Sequence, residues 1–292
     1  MLPGMKTQGT VNLQTAERTR LAKLGMICAC CVALLPLCGA GQASKPATSR
    51  QQLWDIGTKS LFLSCSGTRH GPAVILESGR GRTSSDWSKV QPVIATFTQV
   101  CSYDRDGLGQ SRLQRTAPED AAQFVDDLHR LLSVADVQPP YLLVGHSLGG
   151  LLVRLYQMKY PETVKGLVLV DPVHGETWRA LQVDPHELDG QTPEQIRRTG
   201  QLPPTERLGW HTDIPLIVLG HGKPIDFPPP LAAKSAQIEA NFLAADKDLA
   251  SRSSHGQFRL AEQSGHFIQI DQPQLVSQSI REVWDAVMDA HR

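Results

Sequence analysis

No excess of charge of either sign marks this 292-residue chain: Lys plus Arg and Asp plus Glu each total 29. A zero balance excludes the basic footprint of a nucleic-acid binder or of a protein held on an anionic membrane surface. No internal repeat is visible, which excludes solenoid and propeller arrays. No cluster of Cys and His has zinc-ligand spacing, so no metal is assigned. The glycine-rich Gly79-Arg80-Gly81 lacks the ending of a phosphate loop. Gly107-Leu108-Gly109 lacks the third glycine and the strand–helix setting of a dinucleotide site. No cofactor is assigned, and nothing in the sequence reports an oligomeric state.

Cysteine is scarce beyond the first 43 residues. Of six, Cys28, Cys30, Cys31 and Cys38 fall in the leader, and only Cys65 and Cys101 remain. In the leader, Arg18, Arg20 and Lys23 precede an apolar stretch from Leu24 to Cys38, and Gly41-Gln42-Ala43 follows. That order predicts a secretory signal over residues 1–43, cleaved near Ala43, with export to the periplasm or the medium. The alternative is an uncleaved anchor or an unstructured leader. Pro36 interrupts the stretch, which is short for a bilayer span, so no membrane span is expected in the mature chain. Residues 44–292 then suffice for one large α/β domain in a compartment that permits disulfides.

Within that domain, short apolar runs alternate with helical patterns. The runs cover residues 61–65, 73–76, 99–103, 141–144, 166–170, 215–219 and 257–260. Near-continuous apolar runs suit strands buried on both faces of a mostly parallel sheet. Phe124, Val125, Leu128, Leu131 and Leu132 form one helical face, behind a possible capping box at Thr116 to Glu119. A second helix is predicted from about Leu148 to Tyr160. A last one carries Val276, Ile280, Val283, Trp284 and Val287. The alternation predicts an α/β fold: a doubly wound sheet of about eight strands with helices on both faces. Residues 174–213 break the rhythm after the sixth strand. They are expected to form a cap or lid, the alternative being a surface excursion.

Gly145-His146-Ser147-Leu148-Gly149 fits G-x-S-x-G, a match that arises by chance in about one chain of this length in ten. Its setting adds weight, because an apolar run precedes it and a helical pattern follows. A strand–sharp turn–helix exposes the serine at a strand's C-terminal end, and flanking glycines relieve the crowding.

Three further segments follow the expected order: Leu76-Glu77-Ser78-Gly79, Tyr103 through Ser111, and Ser264-Gly265-His266. With these four the chain resembles the α/β-hydrolase family over nearly all of its mature length. The resemblance implies Ser147 as nucleophile and His266 as general base. It also implies the backbone N–H groups of Leu148 and Arg80 as oxyanion donors. The family's usual His-Gly is Ser78-Gly79 here, which leaves the shape of that loop open. For the acid, Asp171 at the end of the sixth strand is favoured over Asp226. The usual position after the seventh strand is Lys223 in this chain. Asp171 before Pro172 has the plain alternative of a turn cap. The family's strand order makes the second and fourth strands neighbours and predicts a Cys65–Cys101 disulfide, against two buried thiols.

Other histidines compete with His266. Surface or structural roles are expected for His221 and His255, packing away from the serine for His146, and a place in the pocket lining for His174. A serine at the elbow points to acyl transfer to water. The expected activity is hydrolysis of a small-molecule carboxylic ester through a Ser-His-Asp triad and an acyl-enzyme. The alternatives are a peptidase or amidase, a C–C bond hydrolase, and a non-catalytic ligand-binding protein of the same fold.

Overall fold

The structure, a computed structural model, describes residues 49–57, 59–112, 121–173, 210–227 and 231–290. The expected leader, the capping box at Thr116 to Glu119, His174 and most of the expected cap (174–209) lie outside the described residues.

Eight strands form one sheet: β1 Ser49–Asp55, β2 Ser60–Ser66, β3 Ala73–Glu77, β4 Val100–Tyr103, β5 Tyr141–His146, β6 Val164–Val170, β7 Leu216–His221 and β8 Gly256–Ala261. Their order is β1-β2-β4-β3-β5-β6-β7-β8. β1 and β2 run antiparallel to their neighbours, and every pairing from β4 through β8 is parallel. Seven strands coincide with the apolar runs of the sequence. The eighth, β1, has the sequence SRQQLWD and lies largely exposed at the sheet edge. With one partner and little burial it needs no apolar run.

Among the described residues the α-helices are α1 Gln91–Ile94, α2 Ala121–Val134, α3 Leu148–Lys159, α4 Ser235–Ser251, α5 Ile268–Asp271 and α6 Pro273–Asp289. Side chains alternate across the central strands. Leu143, Leu167 and Val218 face a core closed by α2, α3 and α4, among them Leu128, Val153 and Leu249. Leu142, Val168 and Ile217 face a second core closed by α1, α5 and α6, among them Ile94, Ile268 and Val283. Burial on both faces is why these strands read as unbroken apolar runs. The predicted faces of α2 and α6 are the buried ones.

Cys65 and Cys101 stand directly opposite one another on β2 and β4 and form a disulfide. Trp210, near the end of the segment expected as a cap, is 2% exposed and donates Nε1–H to Gln157 Oε1 at 2.8 Å. Its ring is packed into the first of the two cores. Among the described residues no helix is long and apolar enough to cross a membrane.

Candidate active site

Ser147 stands at the C-terminal end of β5, beside the end of β6. β5 delivers it directly, and α3 starts at the next residue. Its backbone, at φ 53° and ψ −117°, is in a region that an L-residue with a Cβ rarely adopts, a strain of about 1–3 kcal/mol. The surroundings over-determine that conformation: Ser147 N–H donates to Val170 O at 3.0 Å, and Ser147 O accepts from Gly150 and Val173. Two glycines make the turn possible. A Cβ on Gly145 would lie 2.3 Å from Gly149 O, and one on Gly149 would lie 2.4 Å from Glu77 O.

Asp171 follows β6, also in the left-handed region at φ 45°, where Asp is tolerated better than most residues. Its N–H reaches across to Leu219 O at 2.7 Å. His266, in the loop after β8, donates from Nδ1 to Asp171 Oδ2 at 2.5 Å. Donation from Nδ1 leaves Nε2 as the ring's proton acceptor. Among the described residues no hydrogen bond links Ser147 Oγ to His266; such contacts are commonly long without substrate and tighten when it binds. Asp226 is exposed in the loop after β7 and makes no hydrogen bond to His266 among the described residues.

His146 does not turn away from this group. It is buried, its ring centre is 4.7 Å from that of His266, and its Nε2 donates to His266 O at 2.9 Å. Burial pushes its pKa down to about 3, so the ring is neutral and tethers the loop that carries His266. Close contact with the His146 ring also requires glycine at position 79, where a Cβ would lie 2.9 Å from Nδ1.

The Ser78–Arg80 loop, where the first oxyanion donor is expected, rests on a buried charge pair. Glu77 at the end of β3 is 1% exposed and receives hydrogen bonds from Tyr103 Oη and Arg105 Nη1. Burial raises its carboxyl pKa against the opposing pull of Arg105. The same guanidinium donates to Ser78 O at 2.7 Å and to Gly79 O. Asp104 accepts from the N–H groups of Ser84 at 2.7 Å and Gln110 at 2.8 Å, fastening the Tyr103–Ser111 turn to the same loop. That motif therefore builds the platform under the loop. Leu148, the other expected donor, is the first residue of α3, where helix N–H groups lack intrahelical partners.

Of the surface and structural places expected for His221, the structure gives it the structural one. It is 9% exposed, and its Nδ1 lies 2.6 Å from Asp171 Oδ1, the carboxylate oxygen that His266 does not use. Its Nε2 lies 2.6 Å from Glu239 Oε2 on α4. The available signal was position: His221 ends β7 in register with the strand that delivers Asp171. His255 is exposed, as expected. Asp171 thus has donors on both oxygens. Burial would raise its pKa, but the hydrogen bonds from His221 and His266 outweigh that and hold it below the usual carboxylate range. Among the described residues no group of three or more His, Cys, Asp or Glu side chains is placed to hold a metal ion.

Comparisons with known proteins agree with this architecture. The sequence profile of the alpha/beta hydrolase fold matches residues 72–212. The uncharacterized protein YqjL of Bacillus subtilis is 30% identical over 229 residues, which are 74% of this chain and 85% of that protein. An AB hydrolase superfamily protein of Gibberella zeae is 31% identical over 135 residues, 44% of this chain and 42% of its own length. Among solved structures, carboxylesterase CesB of Bacillus subtilis superposes with a TM-score of 0.57 at 16% identity, covering 82% of this chain and 92% of that one. At that identity the likeness speaks for the fold alone. The chain belongs to the α/β-hydrolase family.

Proposed function

We propose that this protein is a serine hydrolase that cleaves carboxylic esters, with Ser147 as nucleophile, His266 as general base and Asp171 as the acid that orients it. The observation that carries the reading is the strained serine of the β5–α3 turn on the sheet edge where Asp171 meets His266 Nδ1. Strain of that kind, held by three backbone hydrogen bonds, is a feature of functional positions.

The chemistry follows from the groups present. Ser147 Oγ attacks the acyl carbon and its proton passes to His266 Nε2. Asp171 holds the tautomer with Nδ1 protonated and stabilises the imidazolium as it forms. The carbonyl oxygen becomes an oxyanion within reach of the N–H groups of Leu148 and Arg80. As the ester C–O bond breaks, His266 returns the proton to the leaving alcohol. A water then attacks the acyl-enzyme by the same route in reverse.

The sequence order of a secretory signal in residues 1–43 and the Cys65–Cys101 disulfide support export to an oxidising compartment. The test is labelling by a fluorophosphonate probe followed by peptide mass spectrometry, together with turnover of p-nitrophenyl esters of increasing acyl length. Label on Ser147 and ester turnover lost in Ser147→Ala are expected. Absence of label with intact folding would dismiss the reading in favour of a non-catalytic binding protein.

A further inference from the structure

Asp171 is held from two sides, and only one of them is His266. Its Oδ2 serves His266, whereas Oδ1 accepts both the His221 N–H at 3.1 Å and His221 Nδ1 at 2.6 Å. The far side of the His221 ring faces Glu239 Oε2 at 2.6 Å, and Glu239 Oε1 accepts the Ile225 N–H at 2.8 Å. A neutral imidazole has one donor and one acceptor nitrogen. With a carboxylate oxygen against each nitrogen, both must carry protons, so the ring is an imidazolium between two carboxylates. We propose that His221 is a positioning residue of the hydrolytic site, locking Asp171 from the side opposite His266 with its charge balanced by Glu239. The proposal rests on the hydrolase reading above.

The electrostatics point the same way. Burial would lower the pKa of His221, but Asp171 and then Glu239 outweigh it and raise it to about 9. Other groups border this arrangement. Phe242 of α4 packs against the ring at 5.8 Å between centres. Asp246 of the same helix lies against Gly220, and the backbone of Glu262 borders Gly222. Lys223 follows on the loop. On the other side of Asp171, His266 is flanked by neutral His146 and by Phe267, whose ring carries the Arg82 guanidinium at 5.0 Å.

Two consequences follow. Without His221, Asp171 loses the partners that fix its plane, so the imidazolium of the reacting state is less well met. The two neighbours of Asp171 also act on the base with opposite sign. A cation at position 221 disfavours protonation of His266, and an anion at position 239 favours it.

The experiment uses the purified full chain with His221→Phe, His221→Gln and Glu239→Gln, read by kcat, KM and the pH profile of ester hydrolysis. His221→Phe is expected to lower kcat by about 10- to 100-fold with KM nearly unchanged, the size typical of groups that orient a reacting residue through another. His221→Gln retains a donor for Asp171 and recovers part of that loss. Because it removes the cation, its acid limb moves to higher pH, whereas that of Glu239→Gln moves to lower pH. Acid limbs that superpose on the wild type, with activity falling only in step with melting temperature, would overturn the proposal. Nitrogen NMR of the histidine rings supplies a readout that does not need turnover: both His221 nitrogens are expected to be protonated at pH 7.5. A neutral His221 at that pH overturns the proposal while wild-type turnover leaves the hydrolase reading standing. If the ring is doubly protonated but the wild type neither turns over esters nor takes the probe, the hydrolase reading fails, and the positioning role with it.

Discussion

Glu77 and Asp171 occupy corresponding places in the molecule. Each stands at or just beyond the C-terminal end of a central parallel strand, each is at most 6% exposed, and each receives donors on both carboxylate oxygens. The difference lies in the partners. Glu77 is met by the guanidinium of Arg105 and by a buried tyrosine. Asp171 is met by two histidines, the one side chain whose ordinary pKa lies close to neutrality. A carboxylate paired with arginine is a static support, here for the Ser78–Arg80 loop. A carboxylate paired with histidine can share in moving a proton. Burial and strand position alone do not separate the two roles; the chemistry of the partner does.

That contrast breaks down if substitutions on the two sides have the same signature. The largest effect is expected for Ser147→Ala, a fall in kcat of about 10^6-fold with the fold retained, measured by ester turnover and circular dichroism. Next, Asp171→Asn is expected to lower kcat by about 10^4-fold, while Asp226→Asn stays near wild type. A large loss in Asp226→Asn instead would transfer the acid to the β7 loop. On the scaffold side, Arg105→Ala leaves Glu77 buried and unpaired and is expected to cost about 3–5 kcal/mol of stability, read by urea unfolding. Its pH–rate profile keeps its acid limb, in contrast to His221→Gln.

Smaller still is the disulfide. Cys65 and Cys101 are 36 residues apart, and removing the bridge costs at most about 4 kcal/mol on the chain-entropy model. Melting with and without reductant measures it, with kcat of the folded protein unchanged. The smallest effect concerns pH. His221 has a raised pKa, so its contribution to stability is complete below its ordinary value of 6.5 and is lost as pH rises through about 9. Asp171, with a lowered pKa, contributes above the ordinary carboxylate value and loses that contribution as pH falls toward its folded value. Stability of wild type minus that of His221→Gln should therefore shrink between pH 6.5 and 9. A difference that is flat across this interval would show that His221 is not held as an imidazolium.

Much of the architecture was legible because its causes are local. Tyr141 to Val144 is apolar throughout since both faces of β5 are covered, and the faces of α2 and α6 recur at helical spacing. β1 left no apolar signal because an edge strand with one exposed face needs no apolar pattern. The elbow was legible for a similar reason: a sharp strand–helix turn demands glycines at fixed offsets from the serine. The role of His221 was not legible. Its contact with Asp171 spans 50 residues, and that with Glu239 depends on where α4 crosses β7.

Residue type and spacing alone were enough to specify strands, helices, the glycine-flanked serine and a small set of candidate acids and bases. Each of these follows from sterics or burial acting over a few neighbouring residues. Which acid meets which histidine was settled by the pairing of β6 with β7 and by the loop after β8. Those features bring side chains 50 and 95 residues apart to within 2.6 Å of one carboxylate. A hydrogen bond depends on distances of tenths of an ångström, and no local pattern carries that information. Only the packed sheet determines it.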